Sequence, residues 1–222
     1  MDNPILEPAG EALRVDVISD VVCPWCYVGK RQLEAALARW REAHPGAPEP
    51  LVRWHPFQLN PDLPEEGVAR ADYLRMKFGT PDPSSIYQRV GAAARAVGLA
   101  PEFEKIARQP NTLRAHALVG AAHGEAQQAV VERLFRAYFM EGADLTARDT
   151  LEALAREAGL SDEAIREALD GEGAQQAALG DTEARRLGVS GVPFFVIDGK
   201  LGVSGAQGAD ALVSAFEQAR GG

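Results

Sequence analysis

The chain has 222 residues, 46% apolar and 25% charged, with 23 Lys and Arg against 32 Asp and Glu and a formal net charge of −9. That composition is ordinary for a globular protein, and the length suffices for one core or for one domain carrying a large insertion. The acidic balance argues against a nucleic-acid backbone or an anionic membrane as the main partner.

Residues 1–11 carry Pro4, Pro8 and Gly10 and read as a flexible N-terminal arm. This start lacks the basic and apolar segments of a secretory signal. No stretch reaches the roughly 18 apolar residues of a membrane span, so the expected location is the cytoplasm. LRVDVIS then alternates, with Leu13, Val15 and Val17 on one face and Arg14 and Asp16 on the other, which predicts a strand. DVVCPWC turns into a helix, and Pro24 suits its first turn because the missing N–H would be unbonded there. Leu33, Leu37 and Trp40 continue the helix, which is expected to end near His44, before Pro45 and Gly46. LVRWHPF predicts a second strand that stops pairing at Pro56, joined to the first by a connection long enough for a parallel crossover.

From about Pro61 to Gly180 the apolar spacing is helical almost throughout. Ser84 or Ser85 and Ser161 are expected N-caps, and Gly159 an expected stop. TEARRLG then closes a helix at Gly188, VPFFVI is a short strand, Asp198-Gly199 is a two-residue hairpin signal, and KLGV returns. GADALVSAFEQAR is a last helix with Leu212, Val213 and Phe216 inward. The expected fold class is α/β: a discontinuous domain over 12–60 and 181–222 in the order βαβ…αββα, interrupted by an all-helical subdomain over 61–180.

The only two cysteines, Cys23 and Cys26, stand where the first strand runs into the first helix. Two are too few for a disulfide framework, and a reducing cytosol disfavours a structural disulfide. His44, His55, His116 and His123 sit at none of the usual zinc spacings from them, so no metal site is expected. Unbonded N–H groups and the helix dipole gather at this end and favour an anion, so a thiolate on Cys23 is expected to be stabilised. Cys26, one turn deeper, is placed to attack a mixed disulfide on Cys23 and release the partner. An inert buried pair is the weaker alternative.

Trp25 is either an aromatic contact surface for substrates or a cover on the helix end. Pro193 opens a strand, and Val192-Pro193 is either edge punctuation or a cis bond that shows the Val192 backbone to a substrate; the local stretch leaves both open. Asn111, Thr112 and His116 are candidates for a groove between the subdomains, although a capping role for Asn111 or Thr112 is preferred. His55 could tune the thiolate, but a structural histidine is preferred. Without G-x-G-x-x-G after a strand or a Walker motif, no nicotinamide or nucleotide cofactor is expected, nor a flavin.

The segments DVVCPWCYVGKRQLE, PFQLNPDLPEEG, NTLRAHAL, LFRAYFMEGADL and LGVSGVPFFVIDGKLGVSGAQ, taken together and in that order, resemble the thioredoxin-fold oxidoreductases of the DsbA type, in the FrnE-like branch. The resemblance covers most of the chain. It implies a thioredoxin fold interrupted by helices, Cys23 as nucleophile, Cys26 as resolving thiol, and Pro193 as a cis-proline opposite them. Pro24, Trp25, Val192 and Pro193 would then meet the substrate, a protein or small-molecule thiol or disulfide. Some members carry a second cysteine pair near the C-terminus; this chain has none, so a two-pair relay is not expected.

A neighbouring branch, the kappa-class glutathione transferases and 2-hydroxychromene-2-carboxylate isomerases, shares the inserted fold but commonly has serine at the nucleophile. Two cysteines favour disulfide exchange. NTLRAH does not separate the branches, so glutathione stays open as a co-substrate, with a glutathione-dependent isomerase or transferase as the alternative activity. A non-catalytic binding or chaperone module is a further alternative. Oxidation, reduction and isomerisation would use the same residues, and the reduction potential decides among them.

Overall fold

The computed structural model describes residue 5, residues 10–80 and residues 84–221, without the side chains of Ser85 and Ile86. The first strand, β1 (Arg14–Ser19), is buried at all six positions. It lies inside a four-stranded sheet of order β2-β1-β5-β6, with β2 at Leu51–Pro56, β5 at Phe194–Ile197 and β6 at Leu201–Ser204. β2 runs parallel to β1, from Arg14 opposite Leu51 to Ser19 opposite Pro56. β5 and β6 follow antiparallel. The expected βαβ…αββα order is therefore present.

Burial on both faces makes β1 more than a half-exposed strand. Val15 and Val17 join the large core beneath α1 (Pro24–Ala43) and α9 (Ala209–Gly221), while Ile18 packs with Ala184, Val189 and Val196 on the other side. The polar positions are enclosed as well, and buried charges require partners. Arg14 Nε lies 2.8 Å from Asp16 Oδ2, and His55 Nε2 lies 2.7 Å from Asp16 Oδ1. Most of the expected N-terminal arm lies outside the described residues. Within it, Ile5 is not loose: it is buried with Ile18 and Phe57, and its carbonyl accepts from the Arg14 guanidinium at 3.2 Å.

Between the two halves of the sheet stand α2 (Arg70–Phe78), α3 (Ser84–Ala96), a short 3-10 turn (Phe103–Lys105), α4 (Leu113–Gly120) and α5 (Gly124–Arg136). α5 runs on through a wider π-type turn (Ala137–Glu141), and α6 (Arg148–Glu157), α7 (Asp162–Asp170) and α8 (Gly173–Arg186) complete the series. The segment is not wholly helical: Val68–Ala69 (β3) and Arg108–Gln109 (β4) form a small antiparallel ribbon. Two-residue strands are too short to leave a period in the sequence. The ribbon depends on close approach at Gly67 (φ +65), where an added Cβ would lie 2.5 Å from the Gln109 carbonyl oxygen.

Other boundaries also differ. The expected division between residues 180 and 181 falls inside α8, where Gly180 sits against the Pro56 ring of β2 with space for no side chain. α3 begins at Ser84, so its N-cap position lies outside the described residues rather than at Ser84 or Ser85. Ser161 does cap α7, accepting from the Ala164 N–H at 3.2 Å, and Gly159 (φ +93) follows α6. The β5–β6 loop holds three residues, not two, since Ile197 pairs with Leu201. Asp198 exchanges bonds of 2.9 and 2.8 Å with the Arg14 main chain, which holds it to β1 and delays the return.

An edge strand needs partners for its outer N–H and C=O groups. On β2 the glutamines of α5 supply them. The Trp54 N–H donates to Gln127 Oε1 (2.9 Å), Gln127 Nε2 donates to the Trp54 carbonyl (3.3 Å), and Gln128 Nε2 donates to the Val52 carbonyl (3.3 Å). Replacing Gln127 by Met keeps the volume but strands those main-chain groups. A stability loss of about 1–3 kcal/mol is expected, read as a lower urea midpoint at unchanged m-value. An unchanged midpoint would mean that α5 does not complete the sheet edge.

Candidate active site

Where β1 ends, the chain turns on Asp20, which is fully buried. Its main-chain carbonyl accepts from the Cys23 N–H at 3.0 Å. Its Oδ1 accepts from the Val22 N–H at 3.4 Å and its Oδ2 from the Leu59 N–H at 2.8 Å. His116 Nε2 of α4 lies 3.5 Å from Oδ1. The turn therefore bridges the cysteine loop, the exit of β2 and the helical insertion.

Cys23 then occupies the N-cap of α1 in an extended conformation (φ −91, ψ 112), with Pro24 in the first turn. Its carbonyl accepts from the N–H groups of Cys26 (3.0 Å) and Tyr27 (3.4 Å). Its side chain makes no capping bond among the described residues; instead the thiol donates to the Val192 carbonyl at 3.6 Å. Both cysteines are free thiols. Cys23 is 5% exposed and Cys26 1%, so Cys23 is more enclosed than its place at a helix end suggests. Burial pushes the Cys26 thiol well above the ordinary cysteine range, and the neighbouring Cys23 sulfur adds to the shift; the Ser19 side chain and the Asp20 main chain pull the other way. Trp25 is half-buried beside the pair, with the Arg89 guanidinium of α3 5.9 Å from its ring.

The opposite wall is the loop before β5. The Val192-Pro193 peptide bond is cis. Pro193 is buried and its carbonyl accepts from the Gly205 N–H (2.8 Å), whereas Val192 is half-buried and turns its carbonyl to Cys23. Of the two, Val192 is the more accessible on this wall. Gly29, one turn beyond Cys26, makes the approach of the two walls possible: a Cβ there would lie 2.9 Å from Pro193 Cγ and 3.1 Å from the Phe195 ring.

The three groove candidates separate. Asn111 is a brace: its Oδ1 accepts from the Leu113 N–H and from Gln58 Nε2, each at 3.0 Å, and its Nδ2 donates to the Leu63 carbonyl at 2.8 Å. Thr112 is buried at the N-cap of α4 and makes no side-chain cap among the described residues. His116 reaches the site through Asp20. His55 is engaged by Asp16 and not by a cysteine.

Ser19, Asp20 and Gly29 were not singled out from the sequence. Asp20 had a local signal, a carboxylate at a strand end two residues before an N–H it can accept from. Gly29 had another, a glycine inside a helix. Ser19 had none.

The family description "DSBA-like thioredoxin domain" matches residues 14–217. The chain belongs to this family. A crystal structure entitled "probable DsbA oxidoreductase", from Streptomyces coelicolor, shares 32% identity and a TM-score of 0.82, covering 94% of this chain and 90% of its own. The uncharacterized protein YwbO of Bacillus subtilis (strain 168) is 27% identical over 211 residues, 92% of this chain and 96% of YwbO. At the level of fold alone, the cytosolic disulfide reductase DsbM of Pseudomonas aeruginosa, solved with GSH, superposes with a TM-score of 0.63 at 20% identity, covering 93% of this chain and 98% of that one. As in the family's name, the thioredoxin unit is the frame here, and the dithiol sits at its first helix.

Two outcomes follow for this DSBA-like site. Because its pKa is raised, Cys26 stays protonated at neutral pH; in pH-dependent alkylation with mass mapping, it should label more slowly than Cys23 and accelerate only in alkali. Faster labelling of Cys26 near pH 7 would reverse the two roles. Gly29→Ala sets two effects against each other. Helix propensity favours Ala by about 1 kcal/mol, while overpacking against Pro193 and Phe195 costs about 1–3 kcal/mol. A net loss of roughly 1 kcal/mol is expected in urea denaturation, and a gain would show that the Pro193 wall yields freely.

Proposed function

We propose that this chain is a thiol–disulfide oxidoreductase that works through Cys23 and Cys26. The observation that carries the reading is the pair of free thiols in one turn at the start of α1, with the outer sulfur turned to the Val192 main chain at 3.6 Å.

In the reducing direction the Cys23 thiolate attacks a substrate disulfide. One substrate sulfur leaves and takes up a proton, and a mixed disulfide on Cys23 remains. Cys26 then gives up its proton and attacks the Cys23 sulfur. The Cys23–Cys26 bond forms as the second substrate sulfur departs, so the substrate gains the two electrons that the dithiol loses. Run backwards, the same steps oxidise a substrate dithiol. Two sulfurs carry both electrons, so the reaction requires no metal, flavin or nicotinamide on the chain.

A substrate backbone lying across the site would donate to the Val192 carbonyl in place of the Cys23 thiol, as an added strand. The Trp25 ring, beside Pro24, would support its side chains. The substrates are protein or small-molecule thiols and disulfides, and GSH in the DsbM structure makes glutathione the first small thiol to test. The cytosolic designation of DsbM supports a cytoplasmic setting. Asn111 and His116 hold the loop in this reading and do not touch substrate.

The experiment is Cys26→Ser with a peptide disulfide as substrate. Turnover should fall to background while a mixed disulfide on Cys23 accumulates and is seen by mass spectrometry. Full activity in glutathione conjugation or isomerisation, with no dependence on Cys26, would assign Cys23 to glutathione activation instead.

A further inference from the structure

The resolving step poses a problem of charge. Cys26 must become a thiolate to attack Cys23, yet it is the more deeply buried sulfur, and an isolated charge there is costly.

Ser19 bears on that problem. It is the last residue of β1, opposite Pro56, and its main-chain carbonyl accepts from the Phe57 N–H at 3.0 Å. Its side chain is buried, and its Oγ has no hydrogen-bond partner among the described residues. A buried hydroxyl left so costs about 1–3 kcal/mol, and a strand end could hold alanine or valine without that loss. The hydroxyl lies against the Cys26 sulfur, where it and the Asp20 main chain favour the charged form. A neutral thiol is a weak acceptor. A thiolate is a strong one, and hydrogen bonds to charged groups are about twice as strong as neutral ones.

We propose that Ser19 is a positioning residue for the resolving step: its hydroxyl, unused while Cys26 is a thiol, donates to the Cys26 sulfur as the thiolate forms and aims it at the mixed disulfide. The proton of Cys26 passes to water, the Ser19 hydrogen stays on oxygen, the Cys23–Cys26 bond forms, and the departing substrate thiolate is protonated from solvent. The titratable group that acts directly on Cys26 is Cys23, at the start of α1; the Asp20 carboxylate and His116 of α4 belong to the turn before it. The Asp20 carboxylate is occupied with the Val22 and Leu59 N–H groups, while His116 Nε2, 3.5 Å from Asp20 Oδ1, has no hydrogen-bond partner among the described residues. Of these two buried groups without a partner, Ser19 Oγ and His116 Nε2, the Ser19 hydroxyl is the one that acts on the Cys26 sulfur.

The inference rests on the dithiol reading, and its test separates the two. In single-turnover reactions with a peptide disulfide, capture by Cys23 and resolution by Cys26 are timed apart. Ser19→Ala should lower the ratio of resolution to capture by roughly tenfold or more, the loss of one charge-assisted bond. In a Cys23→Ser background, which needs no substrate, Ser19→Ala should move the thiolate absorbance titration of Cys26 upward. Ser19→Thr keeps the hydroxyl and should restore both readings, while Ser19→Val, matched to Thr in volume, should not; this pair carries the test if the Ala variant folds poorly. An unmoved titration with an unchanged ratio overturns the proposal. A moved titration in a protein that exchanges no disulfide upholds the role of Ser19 toward Cys26 and removes the exchange reading.

Discussion

The site depends first on one buried carboxylate. Asp20 is enclosed at the point where a strand must become a helix, and a buried charge persists only with hydrogen-bond donors around it. Here the donors are the Val22 N–H in the turn itself and the Leu59 N–H after β2, and the His116 ring of α4 stands 3.5 Å away. With its carboxylate so occupied and its carbonyl holding the Cys23 N–H, the turn has little freedom. The orientation of the first turn of α1, and so of both sulfurs, follows from it.

The helical insertion is bound to the sheet by polar contacts as well as by a shared core. Gln127 and Gln128 complete the outer edge of β2. Directly after the dithiol, Tyr27 Oη donates to Glu132 Oε1 of α5 at 2.9 Å, and one turn on the buried Lys30 Nζ stands 2.8 Å from Glu132 Oε2. Burial works against the Glu132 charge, yet Lys30, Tyr27 and Arg31 together hold its carboxyl below the usual range. Burial and that same carboxylate push the Tyr27 hydroxyl up to about 12. The ring of Tyr27 also stacks on Phe135 with centroids 4.9 Å apart. α1 is thus tied to the insertion directly after the cysteines.

Two sulfurs of identical chemistry are made unlike by position alone. Cys23 stands outside the helix proper and faces a main-chain carbonyl of another loop. Cys26 lies within the first turn, desolvated, against a hydroxyl and a main-chain group. In the proposed function, this difference in surroundings is what would divide a thiol that meets the partner from a thiol that resolves it.

Local properties were legible in the sequence. Period-2 and period-3.6 spacings run within single elements, so β1, α1, β2 and the helices of the insertion could be read directly, as could the cysteines at a strand–helix junction and the Ser161 cap. The cis-proline was legible only through family resemblance, because a Val-Pro pair carries no local sign of its isomer. What tertiary structure alone decided involves partners far apart in the chain. Arg14 and Asp16 look solvent-facing until His55 and the segment at Ile5 enclose them. Gln127 reads as an exposed helix residue until it meets Trp54. Ser19 reads as an ordinary strand end until Cys26 is folded against it, and the β3–β4 ribbon and the third residue of the β5–β6 loop exist because distant main chain supplies their bonds. Periodicity and propensity report the energy of neighbours in sequence; hydrogen bonds to buried polar groups are settled by neighbours in space.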